Sequence, residues 1–460
     1  MLLLRGDCKL SIKRFLTEYG TRLLFVFVIV FTYTMLIRYT YEQGGIGHGG
    51  NLFEPTHDDG ITVMDYDTGM DFFSSIQYTK GRNPYMEYET LYPPLANLMF
   101  YCMYKLLPAD VQELIPGTFD DIIFARTTYN DMRVHQSAAF LFIIYNITIM
   151  ILLFVMFQKI LNNSELAAVT SFAACYSIVV VRALERGNII LIALLLTLFF
   201  LKYNDNENRL LRELSFIALA LAAGLKLYPA MFGIILVSQK RFVEAIRTMG
   251  YGVIATFLPF RAFGGFEAFE VFIKVFKEFS AGDISYFNSY GIKSIVKLIL
   301  YMIECLKNNA SFGTNLSLEN YSSVLLIASI CAYIIAVLFI VFSFFEKAYW
   351  KKVLFIGLTI VSIQDSAVYS GVFLLISLLF MMAEEPSLNM NNVIEYCLLV
   401  FMMVPVPYNG NPIAYPGMAP YTFVMTFYQI VYCLLMLRMA WVGIKNFKVS
   451  LNSKKLDAMA

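Results

Sequence analysis

The chemistry-bearing residues of this chain recur in short polar clusters. Asp71-Phe72-Phe73 sets one carboxylate beside two aromatic rings, a few residues after Asp65-Tyr66-Asp67. Gly81-Arg82-Asn83-Pro84-Tyr85 and Tyr92-Pro93-Pro94-Leu95 follow. Further on come Glu185-Arg186-Gly187-Asn188, Leu225-Lys226-Leu227-Tyr228-Pro229, Arg261, Asn288-Ser289-Tyr290 and Gln364-Asp365-Ser366 with Tyr369 behind it. A carboxylate can take a proton from an attacking hydroxyl. Arginine and lysine can neutralise a phosphate, the first through two parallel hydrogen bonds and the second as a point charge.

Each cluster also has a plainer reading. Asp71 fits a solvated loop carboxylate or a helix cap as well as a general base. Asp65-Tyr66-Asp67 has the form of a metal-binding DxD, three letters that a solvated loop supplies more often. Tyr92-Pro93-Pro94 could simply open a helix, because proline is at home in the first turn. Lys226 stands inside an apolar run, where an ionisable group is a functional candidate by default, with snorkelling to the interface as the alternative. His48, His57 and His135 are far apart and there is no CxxC, so no metal site and no cofactor are expected. The glycines between Gly44 and Gly50 match no phosphate-loop spacing.

The elements that must carry these residues are set by composition. Of 460 residues, 58% are hydrophobic and 15% charged, against roughly 45–50% and about 25% in soluble globular chains. Mean hydropathy is +0.63. A water-soluble core could not hide that much apolar surface, which excludes an ordinary cytosolic enzyme, a disordered scaffold and a secreted disulfide domain. The 35 Lys+Arg against 34 Asp+Glu leave +1, so charge implies no nucleic-acid partner. Five of the seven cysteines lie in apolar runs, Cys8 is in the basic N-terminus and Cys305 alone lies near an outer surface; no disulfide framework is implied. The expectation is an all-α polytopic membrane protein forming a single domain over 1–460.

Its first apolar run, Leu23 to Ile37, follows Arg5, Lys9, Lys13, Arg14 and Arg22. That pattern reads as a retained signal anchor with a cytoplasmic N-terminus. Residues 38–91 become a first outer loop. Later apolar runs are Ser137–Phe157, Leu166–Val181, Ile189–Leu201, Leu214–Val237, Thr248–Phe260, Ser322–Phe345, Val353–Ile363, Val368–Met382, Val393–Val404 and Tyr421–Val442. A span needs about 20 apolar residues, so the short runs suggest half-helices shielded by neighbours. Basic clusters at Lys202–Arg212, Gln239–Arg241, Lys347–Lys352 and Lys445–Lys455 should all be cytoplasmic, as should the tail 446–460.

Leu214–Val237 has such a cluster at both ends. It therefore reads as a broken hairpin with its Lys226–Pro229 tip in the membrane, a straight kinked helix being the alternative. A second outer loop, 261–321, carries an amphipathic helix at Gly291–Asn308, with Lys293, Ser294, Lys297, Tyr301 and Glu304 opposite Ile292, Ile295, Ile299, Met302 and Leu306. That helix should lie on the outer interface. Leu95–Leu107 reads as re-entrant or interfacial. No internal repeat is visible. In this topology the polar clusters all fall on the outer side.

The order Asp-Phe-Phe, Gly…Asn-Pro-Tyr, Tyr-Pro-Pro-Leu, Gly-Asn before a leucine-rich helix, then Leu-Lys-Leu-Tyr-Pro before a basic turn resembles glycosyltransferase family 87. The resemblance runs from about Asp71 to Tyr369. It implies a GT-C fold of roughly 10–13 transmembrane helices in a plasma membrane, and transfer of a mannose-like hexose from a polyprenyl-phosphate donor to a glycolipid or glycan acceptor outside. By motif position the family's catalytic aspartate is Asp71, with Asp65 and Asp67 as alternatives. Where many members resemble Ser-Pro-x-Ser-Trp-x-His, this chain has Ser362-Ile363-Gln364-Asp365-Ser366-Ala367-Val368-Tyr369, with no histidine at the family's donor-contacting position.

In that reading Asp71 is the base of a single inverting displacement, for which one carboxylate suffices. Lys226 and Arg186 stabilise the leaving phosphate. Tyr92, Asn188, Tyr228, Asn288, Gln364 and Tyr369 bind donor sugar or phosphate, and Tyr92 could stack on a sugar ring. A lipid-phosphate leaving group needs no metal. Two other readings stay open: a flippase for a lipid-linked sugar, and a polymerase or ligase of surface polysaccharide.

Overall fold

The computed structural model describes residues 20, 22–35, 69–80, 83–113, 132, 135–162, 165–281, 290–310, 316–363, 368–385, 389–405 and 423–459. Among these the regular structure is entirely helical. Helix α1 (Arg22–Met35) precedes three short helices, α2 (Met70–Tyr78), α3 (Pro84–Tyr88) and α4 (Pro94–Leu106). The bundle continues with α5 (Gln136–Ile160), α6 (Glu165–Cys175), α7 (Ile178–Arg186), α8 (Ile190–Tyr203) and α9 (Arg209–Leu225). Then come α10 (Phe242–Phe257), α11 (Phe266–Ala281), α12 (Ile292–Lys307) and α13 (Ser322–Phe345). Last are α14 (Tyr349–Ile363), α15 (Val372–Glu384), α16 (Val393–Met403) and α17 (Phe423–Met459).

Among the described residues, three segments are long and apolar enough to cross a membrane: Gln136–Ile160, Glu319–Phe345 and Phe427–Asn452. At 1.5 Å per residue, a helix of 25 residues reaches about 37 Å, enough for a hydrocarbon core of about 30 Å. Helices α6 and α7 make a fourth if counted together, bent by 48°. A total of ten or more thus depends on the shorter apolar helices, some of which are shielded inside the bundle. Helix α15 is the clearest case, with every residue from Val372 to Met381 buried. It packs directly on α14, where a Cβ added to Gly357 would sit 2.9 Å from the Phe373 carbonyl. A helix apolar all round belongs in the middle of a bundle. By contrast Leu326, Ile327, Ile330 and Val337 of α13 face outward, as lipid contact requires.

Two expected runs are corrected. Leu166–Val181 is not one helix: Ser177 turns to extended backbone, its hydroxyl bonds the Ala174 carbonyl at 2.7 Å, and its own carbonyl starts α7. The last helix extends past Val442, the end of its apolar run. With no proline after Tyr421, α17 runs on to Met459, held by Asn446 on Glu346 at 2.7 Å and by Phe447 on Phe345.

The broken hairpin is present. Chain direction reverses after α9, so that Gly233 lies against Leu219, where an added Cβ would be 3.8 Å from Leu219 Cδ2; a straight helix would hold those residues about 21 Å apart. Arg241 then returns to the start of α9, donating to the Asn204 side chain at 3.1 Å and its carbonyl at 2.6 Å. Asn204 in turn donates to the Tyr349 hydroxyl at 3.3 Å. Together with the Asn446–Glu346 bond, these contacts gather all four basic clusters at one end of the bundle.

Helix α12 forms where the amphipathic pattern placed it, and its faces show the surrounding solvent. Ser294, Lys297 and Tyr301 are turned inward, while Ile299, Met302 and Leu306 are exposed, Leu306 by 79%. That arrangement is inside-out for water and right for lipid. Helix α4, at 13 residues, is about 20 Å long and too short to cross alone. It packs on α2, α9 and the turn Leu258–Phe263. Tyr85 packs on Phe260, Phe263 and Phe272, and the Asn83 amide donates to the Phe263 carbonyl. The segments around α3 and α11 therefore share one small apolar cluster.

Candidate active site

Asp71 owes its position to what flanks it. Gly69 takes φ of 69° and starts α2, and its N–H donates to the Glu185 carbonyl at 2.7 Å. Phe72 is fully buried against Phe142 and Tyr145, with ring centroids 5.2 and 4.9 Å away. The two phenylalanines anchor the first turn of α2, leaving Asp71 at a helix N-terminus, where a negative charge is favoured.

The partner segment is the end of α7. Arg186 is its last residue, Gly187 adopts φ of 65°, and Asn188 N–H reaches back to the Ala183 carbonyl at 2.8 Å. This left-handed glycine cap turns Arg186 and Asn188 toward α2. Arg186 grips Asp71 with both arms, Nε to Oδ2 at 2.9 Å and Nη2 to Oδ1 at 3.0 Å. Asn188 Nδ2 adds a bond to Oδ2 at 2.6 Å, while its Oδ1 accepts the Ile190 N–H at 2.9 Å and so starts α8. Asp71 and Arg186 side chains retain 15% and 22% of their exposure, so the pair is only partly buried. Glu185 is turned away from it, buried and paired with Arg182 at 2.9 Å.

A glycine at 187 is required twice over. An added Cβ would lie 2.5 Å from Phe72 Cβ and 2.7 Å from a Phe142 ring carbon, and φ of 65° is costly for any L side chain. Gly187→Ala should destabilise by roughly 2–5 kcal/mol and abolish any activity that needs Arg186 and Asp71 together, because the two no longer meet. Thermal unfolding in detergent, read beside activity, checks this; a stable and active variant would contradict it.

Lys226 caps α9 in extended backbone, ahead of the tight turn Tyr228–Gly233. Its ammonium sits 4.4 Å from the centre of the Tyr92 ring. Tyr92 is pinned from behind: its carbonyl accepts from the Tyr85 hydroxyl at 2.9 Å and from Asn97 at 3.2 Å. Pro84 and Pro94 open α3 and α4 on either side. The Tyr92 hydroxyl lies 3.4 Å from Asn188 Nδ2. One carboxylate, two cations, an amide and a phenol thus converge, at the opposite end of α8 and α9 from the basic clusters.

Burial pushes the Asp71 carboxyl up, but the Arg186 charge and hydrogen bonds, Asn188 and Lys226 together bring it below the usual carboxylate range. It is therefore ionised at neutral pH. Burial, with the Asp71 charge beside it, holds the Tyr92 hydroxyl well above its ordinary range, so Tyr92 stays a hydrogen-bond donor. For the free protein the sign follows: kcat/KM should stay flat as pH falls from 7 to about 4. A rate–pH profile with a limb near 6 would contradict this.

A family model described as Glycosyltransferase family 87 matches residues 123–363, just over half of the chain. The chain belongs to glycosyltransferase family 87. It is a multi-pass membrane glycosyltransferase. No curated protein and no solved structure matches it. The family 87 match contains Arg186, Asn188, Lys226 and Tyr228 but begins after Asp71 and Tyr92 and ends before Tyr369. It is narrower than the motif order suggested. The bidentate ion pair and the Gly69–Glu185 bond are what tie Asp71 to the matched region.

Of the other expected residues of this family 87 chain, Tyr369 lies on the turn Val368–Gly371, packed against α7 where an added Cβ at Gly371 would meet Val179 at 2.7 Å. Tyr369 is within electrostatic reach of Tyr92. Tyr228 packs edge-on against Phe373, with centroids 6.4 Å apart. Asp65, Asp67, Asn288 and Gln364 lie outside the described residues. Among the described residues no three His, Cys, Asp or Glu side chains converge. Sequence reasoning passed over Tyr145, whose signal was a Tyr-Asn pair in the middle of an apolar run.

Proposed function

We propose that this glycosyltransferase moves a mannose-like hexose from a polyprenyl-phosphate donor to a glycolipid or glycan acceptor, at the outer face of a plasma membrane, with inversion. The observation that carries the reading is the convergence of Asp71 with Arg186 and Lys226 at one end of a lipid-exposed bundle. Asp71 takes the proton of an acceptor hydroxyl as its oxygen attacks the anomeric carbon. The bond from that carbon to the phosphate oxygen breaks, and its electron pair leaves with the polyprenyl phosphate. Arg186 and Lys226 stabilise the charge gathering on the phosphate.

Both Asp71 oxygens are occupied by Arg186 and Asn188, which makes the carboxylate a weak base at rest. The donor phosphate competes for Arg186, since its tetrahedral oxygens suit the guanidinium fork. Donor binding then frees Oδ1 of Asp71, with Asn188 left on Oδ2, so the donor binds ahead of the acceptor. Tyr92 offers its hydroxyl to the sugar, one ring face being covered by Lys226. The test is turnover in proteoliposomes with a polyprenyl-phosphate hexose and a glycolipid acceptor. The expected result is one polyprenyl phosphate released per sugar moved, with inverted anomeric configuration. Movement of sugar-lipid across the bilayer without phosphate release would sink the reading in favour of a flippase.

A further inference from the structure

Helix α5 carries a buried polar group that the transfer scheme leaves unused. Tyr145 is 6% exposed, and its hydroxyl has no hydrogen-bond partner among the described residues. A buried hydroxyl left unpaired costs about 1–3 kcal/mol, so a chain that retains one in mid-helix calls for a reason. Its ring lies 4.9 Å from that of Phe72, the residue next to Asp71, and the Asp71 carboxylate is within electrostatic reach of it. The charged and titratable groups facing Asp71 are Arg186 from the end of α7, Lys226 from the end of α9, Tyr92 from the loop before α4 and Tyr145 from α5. Three of these already have work in the resting site or on the phosphate.

We infer that Tyr145 is a positioning residue that donates its hydroxyl to the Asp71 carboxylate once Arg186 has left it for the donor phosphate. The inference rests on the transfer reading above and deepens it. At rest Arg186 saturates Asp71 and Tyr145 has nothing to bond. With donor bound, the carboxylate loses its two strongest bonds inside a partly dry site. Asn188 keeps its bond to Oδ2, and a phenol donor on the Phe72 side that joins it there leaves Oδ1 to accept the proton. The orphaned hydroxyl in the resting structure is the vacancy that this exchange fills.

The test is Tyr145→Phe in proteoliposomes, with polyprenyl-phosphate mannose as donor, comparing the pH profiles of kcat and kcat/KM. The kcat profile reports the donor-bound enzyme and kcat/KM the free one. Losing one hydrogen bond to a carboxylate should raise the acid limb of kcat by about one pH unit and leave the limb of kcat/KM in place, where Arg186 still controls Asp71. The melting temperature should stay level or rise, because an unpaired buried hydroxyl is removed. Tyr33→Phe is the control: that hydroxyl is also buried and unpartnered among the described residues, but its ring stacks on Tyr176 at 5.9 Å, and neither limb should move.

An unmoved kcat limb in an active Tyr145→Phe protein overturns the inference alone. Equal movement of both limbs, or the same movement in Tyr33→Phe, also overturns it. A wild type that transfers nothing overturns the transfer reading with it.

Discussion

Asp71→Asn lowers kcat for sugar transfer by roughly 10²–10⁴, the usual contribution of a positioned base, while KM for the donor stays level or falls. The side chain keeps its shape but can no longer take a proton. Arg186, released from its bidentate partner at 2.9 and 3.0 Å, is then free for the donor phosphate before any substrate arrives. A split between falling kcat and unchanged or tighter donor binding is the signature of a base that is also the resting counter-ion of a phosphate ligand. Steady-state kinetics in proteoliposomes measures it. A rise in KM at constant kcat would make Asp71 a binding residue and pass the base to Asp65 or Asp67.

Arg186→Ala carries the second large effect, through two separable routes. The leaving phosphate loses a two-pronged cation, which should cost roughly 10²–10³ in kcat. Asp71 loses what chiefly holds it ionised, while burial, the largest single influence on it, is opposed only by Asn188 and Lys226. The acid limb of kcat/KM should therefore move upward. Arg186→Lys should recover part of the rate, because a point charge remains, but not the full value, because the fork is gone. A rate loss with no movement of the limb would mean that Arg186 serves the phosphate alone and never restrains the base.

Several parts of this arrangement were legible in the sequence because they are local. Pro229 after Lys226 kinks or breaks a helix, because it removes a hydrogen bond and crowds the preceding turn. The basic clusters at both ends of Leu214–Val237 then leave a hairpin as the arrangement that keeps both clusters on one side. The polar and apolar faces of α12 follow from spacing alone. Asp71, Tyr92, Arg186, Asn188 and Lys226 stood out as polar groups in or beside apolar runs, and the structure brings all five together. The break at Ser177 was not legible, because a serine inside an apolar run continues a helix as readily as it ends one, and only the surrounding packing chooses.

By itself the sequence determined that this chain is helical and lipid-exposed, with candidate carboxylates (Asp71, Asp65 and Asp67) and candidate cations (Arg186 and Lys226) at separated motifs, since composition and residue type need no knowledge of contacts. Only the tertiary structure decided how those groups meet. Arg186 was expected to bind a phosphate, and in the free protein it binds Asp71 instead, 115 positions away in the chain. Tyr92 was expected to stack on sugar, and the Lys226 ammonium covers one face of its ring. Tyr145 gained significance only when the Phe72 ring was seated against it. The physical reason is the same in each case. A charge or a hydroxyl is fixed by residue type, but its partner is chosen by the packing of helices that are far apart in sequence, and in a site this dry the partner decides whether a carboxylate is a base or a counter-ion.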